Sequence, residues 1–127
     1  MESSTFGLSR IGQIAVNVHD LDRATTFYRD KLGMRHLFTV PKMAFFDCGG
    51  LRLMLALPEK PEFDHVSSII YYNVGDINQA YQVLSKRDVQ FETKPHLVAR
   101  MENHDLWMAF CRDSEGNLLS LMSEQSR

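Results

Sequence analysis

Cysteine is scarce in this sequence: Cys48 and Cys111 are the only two, far apart in the chain. That excludes a disulfide framework and a clustered thiolate metal motif. Both sit in strand-like contexts and read as reduced, partly buried thiols, because a free cysteine behaves as a small hydrophobe. A catalytic or redox thiol is the alternative. An excess of one charge is missing too. Fourteen Lys and Arg stand against sixteen Asp and Glu, a net charge of -2, and no basic run is longer than Lys86-Arg87. That balance leaves no electrostatic footprint for nucleic acid.

Long apolar runs are also lacking. The longest are strand-sized, so no membrane-spanning helix is expected. Met1-Glu2-Ser3-Ser4-Thr5 has no charged region followed by an apolar stretch and does not read as a secretory signal. A cytoplasmic location is the expectation. There is no Ser/His/Asp order, no glycine-rich phosphate loop and no Cys-x-x-Cys pair.

What is present is a grammar of strands and helices. The 127 residues suit one domain, and 44% hydrophobic with 24% charged residues is enough for an ordinary globular core. Residues 11–18 alternate as a strand, with Ile14, Val16 and Val18 on one face and Gln13, Ala15 and Asn17 on the other. Asp20 is a helix N-cap candidate. Leu21, Ala24, Thr25, Tyr28 and Leu32 recur at helical spacing, and Gly33 follows where a left-handed residue is cheap. Strands are expected near 34–40, 42–47 and 51–57, the last two joined by a tight turn at Gly49-Gly50.

The same order then repeats. A strand over 68–74 leads to Asp76 as N-cap and to a helix striped by Ile77, Ala80, Tyr81 and Leu84. That helix ends near Asp88, where glycine would terminate more easily. Strands are expected near 89–93, 96–101, 105–111 and 117–122, with Asp113-Ser114-Glu115-Gly116-Asn117 as a hairpin loop. The register can be checked: Val16, Asn17, Val18 and Asp20 recur as Tyr72, Asn73, Val74 and Asp76. Two prolines, Pro58 and Pro61, mark a linker over 58–64 between a first module of about 10–57 and a second of about 65–124.

The segment Ile-Ala-Val-Asn-Val-His-Asp-Leu-Asp-Arg-Ala-Thr-Thr-Phe-Tyr-Arg-Asp-Lys-Leu-Gly-Met, residues 14–34, resembles the first strand and helix of the glyoxalase/bleomycin-resistance/dioxygenase (vicinal oxygen chelate) superfamily. Ala-Phe-Cys-Arg-Asp-Ser-Glu-Gly-Asn-Leu-Leu-Ser-Leu, residues 109–121, is similar to its closing hairpin. The resemblance spans roughly residues 10 to 124. It implies an α+β fold of two βαβββ modules, whose curved mixed sheets enclose a cleft, often within a homodimer. In many members a divalent metal there acts as a Lewis acid on vicinal substrate oxygens.

The resemblance places the four usual ligand positions on Gln13, Met54, Ile69 and Ser120. Gln13 is an acceptable donor. Met54 is a poor ligand for a hard or borderline ion, Ile69 has no donor and Ser120 has only a hydroxyl. The expectation is therefore no metal and no other cofactor. A displaced site built from His65, His96 and His104 is the alternative, although isolated histidines are more often structural.

Strand parity then names the expected cleft wall. Gln13, Asn17, Arg52, Met54, Ile69, Tyr71, Asn73, Ser120 and Met122 face it if Gln13 does, and Trp107 is expected to add a stacking surface. Such a wall suits a flat, partly apolar small molecule with hydrogen-bonding edges, and Arg52 offers its guanidinium to a carboxylate or phosphate. The bland readings are gap-filling methionines, interface aromatics and asparagines that satisfy strand ends. Three functions follow. The first is a metal-independent protein that sequesters a small organic molecule, as resistance members of the family do. The second is a lyase, isomerase or dioxygenase-like enzyme that uses a rebuilt metal site or acid–base chemistry from His65, His96, His104 or Glu102. The third is a non-catalytic interaction protein.

Overall fold

The computed structural model describes residues 6–126; the Met1–Thr5 segment lies outside the described residues. Strand β1 (Gln13–Asn17) leads to helix α1 (Leu21–Thr26), and strands β2 (Arg35–Val40), β3 (Met43–Cys48) and β4 (Leu51–Ala56) follow. They form a sheet of order β1-β4-β3-β2 in which β1 and β4 are parallel and the other pairs antiparallel. The second module repeats this. Strand β5 (Ile70–Asn73), helix α2 (Ile77–Lys86), and strands β6 (Gln90–Phe91), β7 (His96–Arg100), β8 (His104–Arg112) and β9 (Leu118–Ser126) give a sheet of order β5-β9-β8-β6, with β7 also on β8. Again the first strand is parallel to the last. The fold is α+β, with two mixed sheets and two βαβββ units, as the resemblance implied, the second unit carrying the two-residue strand β6 in addition.

Each helix starts as its sequence dictates. The Asp20 side chain accepts from the Arg23 N–H and that of Asp76 from the Gln79 N–H, both at 3.0 Å. Helix α1 continues into a π-helical turn, Phe27–Lys31, in which the Leu32 N–H reaches the Phe27 carbonyl at 3.1 Å. Gly33, at φ 72, then lets the Met34 N–H close on Tyr28 O. Helix α2 ends on Asp88 in the same left-handed region, at φ 65.

The alternation of each strand decides where the core lies. Val16, Ala44, Phe46, Leu53 and Leu55 of the first sheet are buried, as are Ala109, Cys111, Leu119 and Leu121 of the second. Tyr28 and Phe27 of the first helical segment, with Ile77 and Leu84 of α2, join them in one continuous cluster. Each Val, Leu, Ile or Phe side chain among them contributes roughly 1.5–3 kcal/mol relative to exposure. The helix-bearing faces of the two sheets therefore share one core, and the other faces hold the residues assigned by parity to the cleft.

The loop 113–117 ties the modules together. Tyr28 Oη donates to the buried Asp113 carboxylate at 2.7 Å, and Asn117 Nδ2 donates to Asn17 O at 3.1 Å. Glu115 accepts from the His19 and Asp20 N–H groups at 3.0 Å and from Arg23 Nε at 2.7 Å.

Candidate functional site

The first sheet's outer face is built from alternate residues of β1, β4 and β3. Gln13, Arg52 and Asp47 lie opposite one another across these strands, and Arg35 on β2 completes the row. Ala15, Met54, Phe45 and Phe38 form the next row, and Asn17, Ala56, Met43 and Val40 the third. Rows two residues apart along a strand are separated by about 7 Å.

The side chains of the first two rows are engaged with each other. Arg52 Nε donates to Gln13 Oε1 at 2.8 Å, Gln13 Nε2 lies 3.6 Å from Met54 Sδ, and the guanidinium sits 5.4 Å from the Phe45 ring centroid. Phe45 stacks on Phe38 with centroids 4.6 Å apart.

At the third row the segment that follows β4 folds back as a strap, with a short 3-10 turn at Pro61–Phe63. Asn17 pins it: its Nδ2 donates to Phe63 O at 2.7 Å and to His65 O at 2.9 Å, and its backbone N–H donates to Ser67 Oγ at 3.2 Å. His19 Nε2 meets Asp64 Oδ1 at 2.9 Å beside it. Between strap and sheet lies a cavity of about 410 Å³ whose wall includes Ala15, Asn17, Met43, Met54, Phe63 and His65. That volume is within the range of small-molecule sites.

The residues expected at the site divide into groups. Gln13, Asn17, Arg52 and Met54 come together on the first sheet, and His65 joins them from the strap. Tyr71, Asn73, Ser120 and Met122 stand together on the outer face of the second sheet, where Tyr71 meets Phe110 edge-on at 6.0 Å. Ile69 precedes β5 and is 41% exposed. Trp107 lies on the other side of its sheet: it packs against the core, at the foot of α2. His96 stands near Phe110, with ring centroids 6.4 Å apart, His104 opens β8, and Glu102 lies in the turn between β7 and β8. Sequence reasoning missed Phe38, Phe45, Asp47 and the strap's Phe63 and Ser67. The parity of β3 would have found Phe45 and Asp47; the strap has no such signal.

Two of the four positions that the resemblance assigns to a metal have their oxygens engaged by other groups. Ser120 is fully buried and its hydroxyl is turned to the Ala109 and Leu121 carbonyls. The Gln13 oxygen already faces a cation, the Arg52 guanidinium. No three His, Cys, Asp or Glu side chains converge among the described residues. The two thiols are shifted away from the thiolate form. Burial, and then Asp113, push Cys111 up to about 12; burial, and then Asp47, raise Cys48. No helix among the described residues is long and apolar enough to cross a membrane.

Comparison with known proteins matches this arrangement. Residues 10–121 match the Glyoxalase/Bleomycin resistance protein/Dioxygenase superfamily. Similar solved structures include a superfamily member from Sphaerobacter thermophilus, 23% identical, with a TM-score of 0.76 over 92% of this chain and 98% of that one. A lactoylglutathione lyase from Agrobacterium tumefaciens is 24% identical, with a TM-score of 0.71 over 91% and 94%. An integron cassette protein of V. cholerae is 17% identical, with a TM-score of 0.77 over 93% and 97%. At these identities the likeness shows the fold alone. No curated protein matches the chain. The match over residues 10–121, the duplicated βαβββ topology and the shared architecture of these structures agree: this chain belongs to the Glyoxalase/Bleomycin resistance protein/Dioxygenase superfamily.

Proposed function

We propose that this chain is a metal-independent member of its superfamily that binds a small, partly apolar organic molecule between the first sheet and the strap. The observation that carries the reading is the cavity of about 410 Å³ walled by Ala15, Met43, Met54 and Phe63, with Asn17, Lys42, Glu59 and His65 among the polar residues that line it. Apolar walls supply most of the binding free energy and a few polar groups set orientation. The donor set supports the metal-free part, because Gln13 is engaged by Arg52 and Ser120 by the backbone. Sequestration of such a molecule, as in resistance members of the family, is the function that needs nothing further from the site.

The reading includes a homodimer. Phe38 and Tyr71, on the outer faces of the two sheets, are 46% and 43% exposed, and aromatic exposure of this kind suits contact between copies. Sedimentation equilibrium tests that part directly, and a monomer at all concentrations would remove it.

The binding part is tested by a thermal-shift screen of planar aromatic compounds on protein purified without a histidine tag, alongside elemental analysis. A ligand at 100 times its Kd raises stability by about 2.7 kcal/mol. A dose-dependent rise in Tm, abolished by Ala15→Trp in the cavity wall, is expected. Stoichiometric bound metal, or a flat response throughout, would overturn the proposal.

A further inference from the structure

The first row of the outer face has an organisation that simple burial of an apolar molecule does not use. Arg52 is held on two sides. Its Nε is bonded to Gln13 Oε1 at 2.8 Å, and its Cζ lies over the ring of Phe45, itself stacked on Phe38. Among the described residues no carboxylate forms an ion pair with it. The nearest by register is Asp47, its cross-strand neighbour, and the Asp47 carboxylate accepts from the Gly50 N–H at 3.2 Å. The Arg52 side chain is thus ordered by neutral partners, and Nη1 and Nη2 are left as an end-on fork. A guanidinium fixed in this way loses little entropy when it binds a planar anion.

We propose that the bound molecule carries a carboxylate that docks end-on to Arg52, with its flat apolar body lying across Phe45 and Met54 toward the strap. The inference rests on the small-molecule reading above and names the ligand class. The fork presents two parallel donors, which suits either a carboxylate or a phosphate; the charge of the row chooses between them. The row Gln13, Arg52, Asp47 and Arg35 has two cations and one anion, a balance that suits one negative charge better than two. The spacing agrees. Arg52 and Met54 are two residues apart on β4, about 7 Å, and Met54 is also part of the cavity wall. A carboxyl group on one or two fused rings spans that distance.

The test is calorimetric titration of the full chain with 2-naphthoate, 2-naphthamide and 2-naphthyl phosphate at low salt. Naphthoate is expected to bind about tenfold more tightly than the amide, and more tightly than the phosphate. Arg52→Met should erase that preference and leave the amide's affinity within about twofold. Asp47→Asn, which keeps the acceptor for Gly50, should tighten naphthoate about twofold and not change the amide. Equal affinities for naphthoate and amide, or a preference that survives Arg52→Met, would refute the carboxylate and leave the small-molecule reading standing. Tighter phosphate binding would also refute it. Binding of none of the three would remove both.

Discussion

Tyr28 and Asp113 meet across the two modules: the phenol donates to the carboxylate at 2.7 Å, and both residues are buried. Asp113 Oδ1 also accepts from the Glu115 and Asn117 N–H groups, each at 2.8 Å, so one carboxylate both shapes its own loop and receives the first helical segment. Tyr28→Phe removes the only one of these bonds that crosses between modules, and leaves Asp113 its loop donors. The expected cost is about 1–2 kcal/mol, read as a lower urea midpoint with an unchanged m-value.

The same burial sets an alkaline limit. Desolvation, and then Asp113, hold Tyr28 well above its ordinary value of 10.0, and burial chiefly raises Tyr72 as well. A raised pKa means that the unfolded chain releases these protons first. Their contribution is complete below pH 10 and falls as pH rises above it. Denaturant midpoints should therefore decline above pH 10. Tyr72→Phe should flatten that decline at little cost near neutrality, because the buried Tyr72 hydroxyl has no hydrogen-bond partner among the described residues. An unchanged slope would show that other groups govern the limb.

Glu115 sets the acid limit. Desolvation raises its pKa, but Arg23, the His19 and Asp20 N–H groups and the Ser114 hydroxyl outweigh it and bring it from 4.5 to about 2. A lowered pKa gives stability that is complete above 4.5 and lost as pH falls toward 2. The Glu115 side chain is only 2% exposed although Arg23 is 59% exposed, so solvent screens part of the pair. Glu115→Gln should cost on the order of 2 kcal/mol at neutral pH and should shrink the loss of stability between pH 4.5 and 2. Chemical denaturation at several pH values distinguishes this from a simple loss of packing.

Asp88 ends α2 in the left-handed region, where a side chain is strained and glycine is not. Asp88→Gly is expected to stabilise the fold by about 0.5–1 kcal/mol. A raised Tm with no change in ligand affinity checks it, because Asp88 is not part of the cavity wall.

Much of this was legible in the sequence, for definite reasons. The alternation of Ile14, Val16 and Val18 against Gln13, Ala15 and Asn17 reports which face is buried, because a strand has period two. Asp20, Asp76 and Gly33 announce helix ends through local hydrogen bonding and φ. Features that depend on distant partners were not legible. The expected strand over 89–93 shortens to Gln90–Phe91 because the Glu92 and Thr93 N–H groups both turn to Phe110 O. The helix expected to Leu32 relaxes into a π turn at Phe27, a register that helical periodicity does not encode. Pro58 and Pro61 mark a break, but nothing near them says that Asn17 will hold the segment down.

That last contact yields the sharpest test of the cavity. Asn17 supplies two side-chain bonds to the strap, at Phe63 O and His65 O. Asn17→Ala leaves the Asn17 N–H bonded to Ser67 and the His19–Asp64 contact in place, so the fold should persist. Loss of two partly exposed bonds costs about 1–2 kcal/mol, borne locally by the strap rather than by the core. Amide hydrogen exchange should then accelerate in residues 60–67 and stay unchanged in β8 and β9. Ligand dissociation should speed up with little change in association, because the strap closes one wall of the cavity. Uniform acceleration of exchange across the chain would mean instead that Asn17 supports the whole fold, and that the strap is not a separable wall.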